Sequence, residues 1–144
     1  MPVAPYLFFE GNCEKALEFY RTALGAEIGM VMRYDAAPKG GPEQPGCPMP
    51  PPDKIMHAEF KLRDTTIFAS DGGASGKPEF KGFALNILAK DADDAKRLFD
   101  VLADGGKIMM PFGPTFFSPA FGMTSDKFGM NWMIYVPMPM PGQG

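Results

Sequence analysis

Histidine, cysteine and tryptophan are scarce in this sequence of 144 residues. It has one histidine, His57, two cysteines, Cys13 and Cys47, and one tryptophan. A catalytic divalent-metal site takes about three or four protein ligands, usually histidines and carboxylates. One chain therefore lacks the residues for a site built on two histidines and a carboxylate. The cysteines match no zinc-binding spacing, and we expect both to be reduced and structural.

Excess positive charge and long apolar runs are also missing. The net charge is −3 and the pI is about 5.1, whereas a protein that binds duplex nucleic acid needs a basic surface that releases counterions. No apolar run approaches the roughly 20 residues that cross a bilayer. The first residues lack the charged and apolar parts of a signal peptide. We therefore expect a cytoplasmic protein that binds neither nucleic acid nor membranes.

The chain does contain an internal repeat. In residues 6–25 a short apolar run precedes a polar cap, Asn12, and an amphipathic stretch that ends at Gly25. Residues 83–105 have the same order, with Asp91 as the cap and Gly105 as the stop. Apolar residues recur in both stretches at spacings of three and four, which is typical of a helix that buries one face. The repeat predicts two equivalent modules.

Strand-like segments follow each predicted helix. They cover residues 27–35, 54–63 and 65–71 in the first half, and 107–111, 120–125 and 131–136 in the second. Each half therefore reads β-α-β-β-β, with module 1 at about 4–72 and module 2 at about 80–137. Residues 36–53 hold seven prolines and three glycines, so they are expected to form a long mobile loop, either a lid or simply irregular.

Several short segments, taken in order, resemble the PhnB-like branch of the vicinal oxygen chelate superfamily, the glyoxalase and bleomycin-resistance group. They are Pro5-Tyr6-Leu7, Gly11-Asn12-Cys13, Leu24-Gly25-Ala26-Glu27, His57-Ala58, Ser70-Asp71, Gly106-Lys107-Ile108, Thr115-Phe116-Phe117 and residues 126–134. The resemblance covers nearly the whole chain. It implies one α+β domain over residues 1–144, with two tandem βαβββ modules whose curled mixed sheets surround a cavity. It also implies a homodimer.

The same resemblance allows a test for the superfamily's metal site. Metal-binding relatives place a histidine on the first strand of a module. Counting back from the helix caps puts that position at Pro5 and Ala84, neither of which can ligate through its side chain. The closing strand, 131–136, has no glutamate after its glycine turn. We therefore predict no metal-ligating residues and no cofactor. A methyltransferase label, which some relatives carry, is also disfavoured because no strand, glycine-rich loop and helix suit such a cofactor.

His57 and Glu59 are the candidate catalytic residues. Strand alternation in 54–63 places both on the polar face, where they would project side by side as a proton-transfer pair. The alternative is a half-exposed strand with an ordinary polar face.

Five further residues are candidates for ligand binding. They are Asn86, Ser70, Asp71, Phe117 and Trp132. Asn86 is a polar residue in an apolar strand, and the aromatic side chains suit a flat or apolar ligand. The alternatives are a turn-forming role for Asp71 before Gly72, and core packing for the aromatic residues. The 12 methionines leave the same choice between core packing and a soft ligand surface.

These observations predict a PhnB-like protein that binds a small organic ligand in its cavity without the usual metal ligands. One alternative is a metal-dependent lyase, isomerase or dioxygenase of the same superfamily with a rearranged site that uses His57, Glu59 and Asp71. Another is a scaffold protein whose cavity is filled by its own methionines and aromatic residues. The ligand's identity and any catalysed reaction are left open by the sequence.

Overall fold

The computed structural model describes residues 3–36 and 50–138. These residues form two compact units that divide between Glu79 and Phe80. Most of the predicted loop at 36–53, including Cys47, lies outside the described residues. The units are called unit 1 and unit 2 in chain order, and each is described by itself.

Unit 1 has the predicted βαβββ order. Its elements are β1 (Tyr6–Phe8), α1 (Cys13–Leu24), β2 (Glu27–Arg33), a 3-10 turn (Tyr34–Ala36), β3 (Ile55–Leu62) and β4 (Thr65–Ser70). The strands form a four-stranded sheet in the order β1-β4-β3-β2. β1 runs parallel to β4, while the other neighbouring pairs are antiparallel, so the sheet is mixed.

Unit 2 repeats this topology. Its elements are β5 (Leu85–Leu88), α2 (Ala92–Ala103), β6 (Lys107–Gly113), β7 (Phe121–Ser125) and β8 (Asn131–Tyr135). The strand order is β5-β8-β7-β6, and β5 is parallel to β8. The predicted fold class, α+β with two tandem βαβββ modules and mixed sheets, is confirmed.

One helix covers one face of each sheet. In unit 1, α1 buries Cys13, Ala16, Leu17 and Tyr20, and the ring of Tyr20 stacks on that of Phe60 in β3 at 5.7 Å. The apolar spacing of the helix therefore becomes a packed layer. Alternate side chains of each sheet point away from its helix, and we call that side the helix-free face of the unit.

The second helix lies closer to its sheet. A side chain at Gly122 in β7 would place its Cβ 2.6 Å from Cδ2 of Phe99 in α2. Only glycine admits this approach without moving the Phe99 ring. The register-equivalent residue in unit 1 is Ala58, so α2 packs against a strand position that has no side chain, whereas α1 packs against one that carries a methyl group.

The two predicted helix caps differ in outcome. Asp91 caps α2 by accepting a hydrogen bond from the Asp94 amide, as predicted. Asn12 precedes α1 but makes no capping hydrogen bond through its side chain. The carboxylate of Asp71 takes that role from a distant part of the chain, accepting from the amides of Gly11 and Cys13.

Strand limits also differ from the sequence prediction. β2 ends at Arg33 because the chain turns into a 3-10 helix at Tyr34. β6 passes through Pro111 and continues to Gly113, with register shifts on both sides of Met110. A proline is tolerated there because β6 is an edge strand, where a missing amide need not break the ladder.

Candidate functional site

The helix-free face of unit 1 gathers ionisable and aromatic side chains on three neighbouring strands. Tyr6 pairs with Phe68, and Phe68 pairs with Glu59, so their side chains share one face. His57 lies two residues before Glu59 on β3 and projects from the same side. Sequence alternation predicts this placement of His57 and Glu59.

His57 is the centre of the cluster. The Tyr6 hydroxyl lies 2.9 Å from His57 Nδ1, which is hydrogen-bonding distance. On the other side of the ring, Nε2 lies 3.6 Å from Glu59 Oε1, and the two side chains are 27% and 39% exposed. The imidazole is therefore held on one side and reachable on the other.

Two aromatic rings, those of Tyr6 and Phe68, flank the imidazole, and a third, that of Phe8, stacks on Tyr6. The ring centroids of Tyr6 and Phe8 are 5.0 Å apart and stacked. His57 lies 5.6 Å from Tyr6 and 5.4 Å from Phe68. Tyr6 and Phe8 are also among the exposed large side chains of the protein. This surface offers flat apolar area beside hydrogen-bonding groups, a combination common in small-molecule sites.

Tyr6 keeps its proton at neutral pH. Burial raises the pKa of the Tyr6 phenol above its usual value, and Tyr34 and Cys13 add to the shift. The Ser70 side chain acts in the opposite direction, lowering the pKa of Tyr6. The phenol can therefore donate a hydrogen bond at the site.

A shallow depression of about 300 Å³ continues along β3 from this cluster. Its lining residues are Glu27, Ile28, Gly29, Glu59, Phe60, Lys61 and Thr66. Glu59 belongs to both features, so a molecule bound against His57 would extend toward charged groups of both signs, Glu27 and Lys61.

Ser70 and Asp71 lie inside unit 1. Ser70 is buried, and its hydroxyl accepts from the Gly72 amide at 2.9 Å. Asp71 is 1% exposed. Its Oδ1 accepts from the amides of Gly11 and Cys13 at 3.0 and 2.8 Å, and its Oδ2 accepts from the Ile55 amide at 2.7 Å.

Asp71 is therefore a structural carboxylate that ties the start of α1 to the start of β3. Asp71 also has the turn role considered from the sequence, because its backbone carbonyl accepts from the Ala74 amide at 2.9 Å. All described bonds of its carboxylate are to backbone amides, so we do not place Asp71 in the candidate site.

The helix-free face of unit 2 is apolar by comparison. Asn86 is exposed on it, and Phe117 is 43% exposed with its ring 5.2 Å from that of Phe121. Trp132 differs from the sequence expectation of an aromatic wall, because it is fully buried and its Nε1 donates to Asp126 Oδ2 at 2.9 Å. Core packing is the placement that the structure gives to Trp132.

Strand register relates the two faces residue by residue. Leu7, Ala69 and Ala58 are neighbours in unit 1, as Ile87, Ile134 and Gly122 are in unit 2. One residue along each strand, Tyr6 corresponds to Asn86, His57 to Phe121, Glu59 to Met123 and Phe68 to Met133. The ionisable cluster thus has no counterpart in unit 2.

This register corrects the counting used for the metal position. Leu7 and Ile87 are 80 residues apart, whereas the caps Asn12 and Asp91 are 79 apart, because the turn before α1 is one residue longer. Pro5 therefore corresponds to Leu85 and not to Ala84. Neither Pro5 nor Leu85 carries a metal-binding side chain.

Tyr6 is the site residue that the sequence reasoning missed. It lies in the segment Pro5-Tyr6-Leu7, whose local pattern does not indicate a role for Tyr6 in the site. Its alternation with buried Leu7 on β1 places it on the helix-free face. Its neighbour His57, however, is 51 residues away, and only the pairing of β1 beside β4 brings them together.

Two mixed βαβββ sheets with this order define a protein of the vicinal oxygen chelate fold, and comparisons with known proteins agree. A family model described as 3-demethylubiquinone-9 3-methyltransferase matches residues 2–135, and the chain belongs to that PhnB-type family. It is 40% identical over 147 aligned positions to Protein YjdN of Escherichia coli (strain K12), covering 99% of this chain and 100% of that protein.

Solved structures give the same result. Protein PA1353 from Pseudomonas aeruginosa matches with a TM-score of 0.81 and 33% identity, covering 95% of this chain and 98% of that one. A putative 3-demethylubiquinone-9 3-methyltransferase, PhnB protein, from Bacillus cereus has a TM-score of 0.77 and 27% identity, with coverages of 94% and 99%. The fosfomycin resistance protein FosX from Listeria monocytogenes shares the fold, with a TM-score of 0.63, 10% identity and coverages of 96% and 93%.

The residues of the site do not fit the divalent metal of the superfamily. Across residues 3–36 and 50–138, no three His, Cys, Asp or Glu side chains come together as potential metal ligands. His57 and Glu59 form a set of two, and Nδ1 of His57 already contacts the Tyr6 hydroxyl. We therefore derive no step through a metal.

A methyl-donor nucleotide does not fit the strand-to-helix turns either. Such a cofactor is held where a strand leads through a glycine-rich loop into a helix with free amides. At α1 the amides of Gly11 and Cys13 are bonded to Asp71, and at α2 the Asp94 amide is bonded to Asp91.

In the described part of the chain, no helix is both long and apolar enough to cross a membrane.

Proposed function

We propose that this protein binds a small organic molecule on the helix-free face of unit 1. The observation that supports the proposal best is the cluster of His57 and Glu59 beside the rings of Tyr6, Phe8 and Phe68. The ligand would have a flat apolar part and at least one hydrogen-bonding group.

The chemistry of the surface supports binding through two kinds of contact. The rings of Tyr6 and Phe8 offer apolar area that water wets poorly, so covering it with a flat molecule is favourable. His57 Nε2 and the Glu59 carboxylate would fix the orientation of that molecule by hydrogen bonds. A homodimer and a cytoplasmic location stay predictions.

A thermal-shift screen tests the proposal. Flat aromatic and heteroaromatic molecules would be added to the full chain, and a true ligand raises the melting temperature by mass action. The same molecules would then be added to His57→Ala and to Asn86→Ala. Asn86 is an exposed polar residue of unit 2, so its variant is the control for truncating a polar side chain outside unit 1.

We expect molecules that stabilise the wild type to lose most of their effect on His57→Ala and to keep it on Asn86→Ala. Stabilisation that persists in His57→Ala would place the site elsewhere. A diverse screen without a single stabilising molecule would favour a scaffold whose surfaces bind no ligand.

A further inference from the structure

The hydrogen bond between Tyr6 and His57 has two possible directions. Either the phenol donates to a bare Nδ1, or a protonated Nδ1 donates to the phenol oxygen. The placement of Glu59 favours the first. Its carboxylate lies near Nε2 and favours a proton on that nitrogen, which leaves Nδ1 bare to accept from the phenol.

The second ring nitrogen remains available. Nε2 and Glu59 Oε1 are 3.6 Å apart, beyond the roughly 3.2 Å limit of a good N–H···O bond. The N–H and the carboxylate therefore do not satisfy each other. Both groups are partly exposed, so an adjacent donor and acceptor face incoming molecules.

We infer that Tyr6 is a positioning residue that holds the neutral form of the His57 ring in the tautomer with its proton on Nε2, so that in this form His57 and Glu59 together select a flat primary carboxamide or lactam. This inference rests on the proposed function, because it names the ligand class of the same surface. The carbonyl of the ligand accepts from Nε2–H, and its N–H donates to Glu59.

Ligands of other polarity fit this pair less well. A carboxylate offers two acceptors, so it leaves Glu59 without a donor and sets two negative charges side by side. A ketone accepts from Nε2–H but gives Glu59 nothing. Discrimination of this kind follows from leaving a polar group unpaired.

Nitrogen NMR of the imidazole tests the role of Tyr6 without any ligand. His57 is the one histidine of the chain, so its two ring nitrogens give unambiguous signals in the full-length protein. We expect the neutral ring to carry its proton on Nε2 and to have a hydrogen-bonded Nδ1.

In Tyr6→Phe, the Nδ1 resonance should move toward that of an unbonded pyridine-type nitrogen. Tyr34→Phe is the matched control, because the Tyr34 hydroxyl donates to the Gly72 carbonyl in the same unit. It should leave the Nδ1 resonance in place, which general loosening of unit 1 would not.

Titration with benzamide and benzoate tests the ligand class. We expect benzamide to shift the His57 signals and to bind at least about ten-fold more tightly than benzoate. Tyr6→Phe should weaken benzamide about five-fold, roughly the loss of one ordinary hydrogen bond.

Each contrary result would overturn one particular claim: the role of Tyr6, the ligand class or the proposed function. Protonated Nδ1 in the neutral ring would overturn the role of Tyr6 and leave ligand binding itself untouched. The expected tautomer with benzoate binding as tightly as benzamide, or with neither binding, would overturn the ligand class. The proposed function fails separately, if no molecule of the thermal-shift screen depends on His57.

Discussion

The two units share a fold but present different helix-free faces. The sheet faces that pack against the helices correspond residue by residue: Leu7, Ala58 and Ala69 of unit 1 match Ile87, Gly122 and Ile134 of unit 2. On the helix-free faces, Tyr6, His57 and Glu59 of unit 1 correspond by register to Asn86, Phe121 and Met123 of unit 2. The positions that pack against a helix must be apolar because they are buried there. The positions on the helix-free face do not pack against a helix, so ionisable groups can occur there on one unit alone.

Each unit also contains one buried aspartate that accepts three N–H groups. Asp71 bonds the amides of Gly11, Cys13 and Ile55 in unit 1. Asp126 bonds the amides of Phe128 and Met130 and the Trp132 indole in unit 2. The two aspartates stand at different places in the repeat. Both units therefore use an aspartate to accept hydrogen bonds from N–H groups, but the two aspartates are not at equivalent positions of the repeat.

The largest expected effect comes from removing one of these carboxylates. Asp71→Ala leaves three backbone amides without their acceptor, two of them buried, and we expect the free energy of unfolding to fall by about 4 kcal/mol. Asp126→Ala should cost a similar amount. Urea denaturation of both variants measures the comparison. A loss below about 1 kcal/mol for Asp71→Ala would mean that water replaces the carboxylate.

The next largest effect is a difference in stability loss between two register-equivalent positions on the helix-free faces, Phe121 and His57. Phe121 is 3% exposed, since Phe117 covers it, so Phe121→Ala should destabilise by about 3 kcal/mol through the cavity it leaves. His57→Ala, at the register position of Phe121 in unit 1, should cost less than about 1 kcal/mol because His57 is partly exposed. Thermal unfolding of the pair tests this contrast. Equal losses would contradict a packing role on one face and a surface role on the other.

A smaller loss of stability is expected at the register-equivalent positions that pack against the helices, Gly122 and Ala58. Gly122→Ala forces a Cβ to within 2.6 Å of Phe99, so the ring must move, at a cost of about 2 kcal/mol. The reverse change, Ala58→Gly, should cost about 1 kcal/mol through backbone entropy and lost packing. Chemical denaturation compares the two. If Gly122→Ala is neutral, α2 can shift away from its sheet without loss.

The last effect is absent at neutral pH and appears only at high pH. Burial, with Asp71 and Glu14 adding to it against Arg33, raises the pKa of the Cys13 thiol to about 12. An unfolded thiol ionises at about pH 8.5, so the unfolded state loses its proton first and stability falls as the pH rises from there toward 12. The slope from this group is about 1.4 kcal/mol per pH unit.

Cys13→Ala should remove that part of the slope. A Cys47→Ser background keeps the second thiol out of the measurement, and urea unfolding at pH 8 and pH 10.5 gives the difference. Identical pH dependence with and without Cys13 would show that the thiol ionises equally easily in both states.

Local patterns in the sequence were sufficient for the elements and for part of the site. Apolar spacing located both helices, and alternation put His57 and Glu59 on one face. Contacts between distant segments were not accessible in this way. The Asp71 cap on α1 spans 58 residues and the Tyr6–His57 contact spans 51. Both depend on strand register, which periodicity along one strand does not encode.

The most direct test of the proposed binding surface follows the ring nitrogens of His57 while a molecule that raises the melting temperature is added. We predict saturable shifts of both nitrogen resonances, with the affinity that the thermal shift indicates. A stabilising molecule that saturates the protein and leaves the His57 resonances unchanged would contradict binding on the helix-free face of unit 1.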